Sequence, residues 1–243
     1  MRALYLVFIL SAFLSAKSLK VAVATNVSYA MPEIVKSFHK IYPNIKVEVI
    51  LGSSGKLYNQ IKEGAPFDLF MSANMKYPSA LFKAHLAIEP PKVYAKGSLA
   101  LFSKQKIDFS KGLGVLLTSR VRSIAIANPK IAPYGKAALE AMKNSGIYKK
   151  IKNKLTFAQS VSQAAAYAFV ATDVGFITKS SLFSKKMKKF KKGINWIEVD
   201  QKLYTPIKQG VVILKDSPSA RKFYDFLFGK DAKNIFKSYG YEI

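Results

Sequence analysis

Hydrophobic and polar positions along the chain switch repeatedly between two periods. Residues 19–24, LKVAVA, form a short apolar run of strand length. Residues 29–42 then take a helical period, with Ile34, Val35, Phe38 and Ile41 on one face. Pro32 falls in the first turn of that helix, where a proline costs little. Residues 46–51 alternate as a second strand, 52–55 turn, and a short helix runs on through Glu63. Gly64-Ala-Pro66 breaks the chain before a third strand at 67–72.

The same logic then repeats. Strands are predicted at 123–127, 155–157, 174–177 and 195–199, and helices at 136–144 and 162–170. Residues 92–103 and 204–214 look like extended crossovers, and 217–239 like two helices parted near Gly229. Strands alternating with helices predict sheets that are mostly parallel and flanked by helices. The expected architecture is therefore α/β with two lobes joined by two crossover strands. Lobe 1 takes 19–95 and 206–243, and lobe 2 takes 96–205.

The first 18 residues follow another rule. Met1-Arg2 is a short positive stretch, residues 3–14 are apolar but for Ser11, and small residues follow. That is the pattern of a signal peptide cleaved near Ala16 or Ser18. A spanning helix needs about 20 apolar residues, more than this run has. The expectation is a soluble, exported, periplasmic protein.

Composition sharpens this. Half the residues are hydrophobic, which excludes a disordered chain, and there is no cysteine. Disulfides, thiolate metal sites and cysteine nucleophiles are thereby excluded. Lys and Arg number 39 against 14 acidic residues, so the formal charge is 39 − 14 = +25. Export argues against nucleic acid as the partner, and the positive residues are spread along the chain. Residues 179–192 hold seven lysines and no acid, with Leu182, Phe183, Met187 and Phe190 near helical spacing. They predict an amphipathic surface helix with a solvated basic face. Docking to an acidic partner or membrane is the alternative use of such a face.

Four loops leave strands and enter helices: 25–28, 52–55, 129–135 and 160–162. Each is built of small, hydroxyl, amide or glycine residues, and Lys130 is the one charged side chain in them. Any one of them is accounted for by helix capping. Together, beyond the carboxyl ends of strands and at helix starts, they describe an anion site in a cleft.

At this point the chain resembles a known family, the periplasmic molybdate-binding proteins of ABC importers, with the type II periplasmic-binding-protein fold. Gly64-Ala-Pro-Phe-Asp-Leu-Phe-Met-Ser-Ala73 is similar to a signature segment of that family. Ser53-Ser-Gly-Lys-Leu57 with Gln60-Ile61 resembles its serine loop and helix. Ala127-Asn-Pro-Lys-Ile-Ala-Pro-Tyr-Gly135 and Ile235-Phe-Lys-Ser-Tyr-Gly-Tyr241 resemble two further segments. The resemblance implies an oxyanion held by Thr25 and Asn26 of the first loop and by Ser54 of the second. It adds Tyr134 and Val161, each through its backbone N–H. Ser53 and Thr178 are weaker matches, Thr178 standing where some members carry a tyrosine. Molybdenum or tungsten would be present only as the bound oxyanion, through Asn26, Ser54, Tyr134 and Val161. No cofactor is implied. The implied partner is an inner-membrane ABC permease, and the implied state is a monomer.

Such a donor set makes physical sense. Molybdate is a tetrahedral dianion that accepts hydrogen bonds and donates none. Each bond from a neutral donor to the charged ligand contributes about 1.5–3 kcal/mol net. Five to seven of them support affinity of about −8 kcal/mol or beyond after ordering costs. Protonated phosphate would lack an acceptor for its own proton, whereas sulfate and tungstate share the charge and shape.

Enzyme readings find little. His39 and His85 each fall in a predicted helix with no acidic neighbour in sequence, and Asp68 at a strand start reads as a local cap. Residues 52–57 fail as a phosphate loop, because Ile50 and Leu57 stand where glycine and Ser/Thr are required. The rival from another class is an exported adhesion or interaction protein that uses its basic surface.

Overall fold

The computed structural model describes residues 18–243, so the predicted leader lies outside it except for Ser18. The chain opens with β1 (Leu19–Ala24), α1 (Met31–Ile41), β2 (Val47–Gly52), α2 (Ser54–Lys62), β3 (Leu69–Ser72) and α3 (Lys76–Lys83). β4 (Lys92–Gly97) and β5 (Leu99–Phe102) follow with Ser98 alone between them. β6 (Ile124–Ala127), α4 (Pro133–Asn144), α5 (Tyr148–Ile151), β7 (Leu155–Ala158), α6 (Val161–Val170), β8 (Val174–Thr178) and β9 (Trp196–Glu198) come next. The chain ends with β10 (Ile207–Ile213), α7 (Pro218–Phe228) and α8 (Lys230–Ser238).

These strands make two five-stranded sheets, ordered β2-β1-β3-β10-β4 and β7-β6-β8-β5-β9. The prediction of mostly parallel sheets is corrected here: both sheets are mixed. β1 pairs in parallel with β2 and β3, but β10 runs antiparallel to β3 and β4. β6 is parallel to β7 and β8, but β5 is antiparallel to β8 and β9. The antiparallel members include the strands that carry the chain between sheets. β4 leaves the first sheet, β5 enters the second, and β10 brings the chain back to the first. Such returning strands need no helical crossover and so escape the parallel rule.

The apolar run of β1 is explained by burial on both faces. One face of the first sheet is covered by α1, α7 and α8, and the other by α2 and α3. Met31, Ile34 and Phe38 form the buried stripe of α1, and Phe38 meets Phe223 and Phe226 of α7 edge-on, with ring centroids 5.0 and 5.5 Å apart. Burying one such ring stabilises the fold by about 1.5–3 kcal/mol. Ile41, placed on the same stripe by periodicity, is exposed at the helix end. Gly64 takes φ +86°, a left-handed turn that ends α2 and that glycine adopts without a Cβ clash.

Two local expectations fail. Residues 179–192 do not form an amphipathic α-helix: a 3-10 turn at Lys179–Phe183 is followed by further turns. Lysines four apart, such as Lys185 with Lys189 and Lys188 with Lys192, would repel along an α-helix. The segment is held instead by Leu182 and Met187, both buried, and by Phe190, which packs against Phe102 and Phe169. His85 lies outside any helix, two residues past the end of α3, with φ +56°.

Candidate ligand-binding site

Three helices point their N-termini at one place between the two sheets. α2, α4 and α6 begin at Ser54, Pro133 and Val161, and a 3-10 turn at Thr25–Val27 joins them. The first N–H groups of each helix have no partner within the helix, and the helix dipole makes that end positive. Sequence places these starts there because each follows a strand through a short loop of small residues. Ser160 caps α6 by accepting from the Gln163 N–H at 3.1 Å, whereas the starts of α2 and α4 carry no side-chain cap.

Around these ends lies a small cavity lined by Ala24, Thr25, Asn26, Ser53, Ser54, Ala73, Ala132, Pro133, Tyr134 and Val161. The space open to the centre of a water-sized sphere is about 10 Å³, about that of a single water. No charged side chain lines it. Of the residues singled out from sequence, Thr25, Asn26, Ser53, Ser54, Tyr134 and Val161 all reach this cavity. Thr178 does not. Its buried hydroxyl lies 2.9 Å from Ser180 Oγ and accepts the Ser181 N–H at 3.2 Å, which caps the following 3-10 turn. A tyrosine there would project further than threonine can.

Local bonds set what each side chain can offer. Ser54 Oγ accepts the Ala73 N–H at 2.9 Å, which leaves its own proton free to donate into the cavity. Ala73 thus orients the donor, a role hidden in sequence behind an ordinary strand-end alanine. Asn26 behaves otherwise than its amide suggests. Its Nδ2 donates away from the cavity to Gln209 Oε1 at 2.7 Å, and its carbonyl accepts from Tyr241 at 2.7 Å and Ser180 Oγ at 2.9 Å. Gln209 and Tyr241 were not candidates from sequence. Gln209 stands between Lys208 and Gly210 in the polar first half of β10, so the sequence pattern gives no signal of it, yet it is fully buried.

The sheets close over this cavity through direct bonds. Gly55 N–H donates to Ile131 O at 2.9 Å, and Ser162 Oγ donates to Thr25 O at 3.0 Å. A Cβ at Gly55 would stand 2.9 Å from Ile131 O, so only glycine allows that approach. Beside the cavity runs an open groove of about 530 Å³, with Lys76, Lys136 and Lys208 among its lining residues.

Two of the side chains weighed for chemistry are engaged away from the cavity. His39 bonds Ile45 O at 2.8 Å, and Asp68 accepts the Lys20 N–H at 2.7 Å as a local tie. Among the described residues no cluster of His, Asp or Glu could hold a metal ion. Burial pushes the Tyr94 and Tyr134 phenols well above their ordinary value of 10, and that of Tyr241 up to about 12.

Two α/β lobes shut over a small cavity of neutral donors are the architecture of a solute-binding protein. The chain belongs to the bacterial extracellular solute-binding protein family, whose model matches residues 19–242. It is 36% identical to the molybdate-binding protein ModA of Azotobacter vinelandii, over 93% of this chain and 90% of that one. It is equally 36% identical to the molybdate-binding protein ModA of Rhodobacter capsulatus, over 98% and 94%. The solved periplasmic molybdate-binding protein of A. vinelandii matches with a TM-score of 0.85 and 32% identity, covering 93% of this chain and 99% of its own.

Proposed function

We propose that this protein captures molybdate in the cavity between its lobes, in the periplasm, and delivers it to an ABC permease of the inner membrane. The observation that carries this is the uncharged cavity at three converging helix starts, in a chain 36% identical to molybdate-binding proteins. In this reading Ser54 donates its hydroxyl proton, Ser53 and Thr25 offer hydroxyls, and Tyr134 and Val161 offer backbone N–H groups. Asn26 contributes through its backbone, because its amide is committed to Gln209. No group is asked to break or make a covalent bond. The two closing lobes are those expected as 19–95 with 206–243 and as 96–205, with hinges at Ser98 and between β9 and β10, so that Lys96 and Gly97 of β4 move with the first sheet. The mature chain begins after Ala16 or Ser18 and works as a monomer.

Tungstate shares molybdate's shape and charge and is expected to bind similarly, and sulfate, of the same charge and tetrahedral shape, is the competitor to test. Calorimetric titration of the purified protein with each oxyanion tests this. The expected result is one-to-one molybdate binding that survives excess sulfate. Preferential sulfate binding moves the substrate, and no heat with any of the three rejects the cavity as an oxyanion site.

A further inference from the structure

Behind the cavity, a second polar cluster joins the two lobes at their hinges. Tyr134 belongs to α4, which covers the second sheet, yet its phenol reaches strands of the first. A Cβ added to Gly97, the last residue of β4, would overlap the Tyr134 hydroxyl oxygen and stand 3.0 Å from its Cζ. The same Cβ would stand 2.8 Å from Gln209 Nε2 on β10. Gly97 lies next to the Ser98 crossover, and Gln209 lies two residues into the strand after the other crossover. The phenol therefore sits in a notch bounded by both hinge strands. Gly97 has no left-handed backbone to account for its identity; close approach accounts for it.

The cluster is buried and tightly bonded around that notch. Gln209 Oε1 accepts from Asn26 Nδ2 at 2.7 Å and from the Tyr94 hydroxyl at 2.9 Å. Tyr241 and Ser180 close the ring on the Asn26 carbonyl. Tyr134 OH, Asn26 Oδ1 and Gln209 Nε2 are buried here with no protein partner. Packing against Gly97 and Gln209 seats the phenol beside the Asn26 amide.

We propose that Tyr134 is a positioning residue that couples hinge closure to ligand affinity. Its phenol, seated against Gly97 and Gln209, fixes where its own backbone N–H stands in the cavity. This rests on reading the cavity as the oxyanion site. When the hinge strands swing, the notch moves, the ring moves with it, and α4 shifts its first N–H groups relative to Ser54. A ligand that needs those donors together then favours the closed hinge, and the closed hinge favours the ligand.

The test is molybdate titration of wild type, Gly97→Ala and Gly97→Ala/Tyr134→Phe, with the melting temperature of each unliganded protein. The added methyl displaces the phenol, so Gly97→Ala is expected to weaken molybdate binding about tenfold or more while the unliganded protein stays folded. Removing the hydroxyl in the double variant relieves the overlap but leaves the Cβ 3.0 Å from Cζ and 2.8 Å from Gln209 Nε2, so part of that loss should be recovered, which a general destabilisation would not give. Tyr134→Ala, which keeps the backbone N–H and removes its anchor, should weaken binding similarly and decides the matter if Gly97→Ala fails to fold. Gly97→Ala or Tyr134→Ala binding like wild type overturns the coupling, as does a double variant no better than Gly97→Ala. A wild type silent to molybdate, tungstate and sulfate overturns the oxyanion reading and the coupling with it.

Discussion

Single residues here act through what their neighbours leave free. Ser54 is a useful donor because Ala73 N–H occupies one lone pair of its oxygen and so aims its proton. Ser54→Ala should therefore cost one charge-assisted bond, about 1.5–3 kcal/mol, or roughly tenfold to a hundredfold in molybdate affinity. Titration of that variant checks it, and an affinity within a factor of two of wild type would remove Ser54 from the site. Asn26 teaches the opposite lesson. Its amide is an available donor on paper, but a glutamine 183 residues away takes it. Thr178 is a hydroxyl at the right place in the chain that spends itself on a cap. Which residue types stood near the site was legible in the loops; which atoms faced it was not, because hydrogen-bond direction depends on partners distant in sequence.

At the scale of elements, helix starts do the organising. α2, α4 and α6 each follow a strand, and the right-handed strand-to-helix connection brings their N-termini to the same edge. The periodic pattern located β1 with both ends correct and most other elements to within a few residues. It missed the direction of β10 and the fate of 179–192, since neither pairing direction nor lysine repulsion appears in a hydrophobic period. The cap of α6 offers an element-scale prediction. Ser160→Ala removes the oxygen that accepts the Gln163 N–H and should lower stability by about 1 kcal/mol. Thermal melts of the unliganded variant measure this; an unchanged melting temperature would mean that another group has taken over the cap.

For the whole molecule, the buried tyrosine cluster links the lobes and sets an alkaline limit. Tyr94, Tyr134 and Tyr241 are neutral and buried, and burial raises each phenol above the value of 10 it has in an unfolded chain. A raised folded pKa means the stability is fully present below pH 10 and is lost as pH rises toward and past the folded values, about 12 for Tyr241. Melting temperatures should thus fall increasingly above pH 10, and fall less steeply in Tyr241→Phe. Equal slopes for the two proteins would assign the alkaline loss to other groups.

By itself the sequence determined the alternation of strands and helices, the small-residue loops at the strand ends, and the absence of charged side chains from all but one of those loops. These are local properties: burial imposes a period of two or about 3.6 on neighbouring residues, and helix starts select short polar side chains. Tertiary structure alone decided that both sheets are mixed, that Asn26 turns its amide toward Gln209, that Thr178 stays out of the cavity, and that the Tyr134 phenol lies where a side chain at Gly97 would stand. Each of these depends on atoms that meet only after the chain has crossed twice between the sheets, and a one-dimensional pattern carries no record of that meeting.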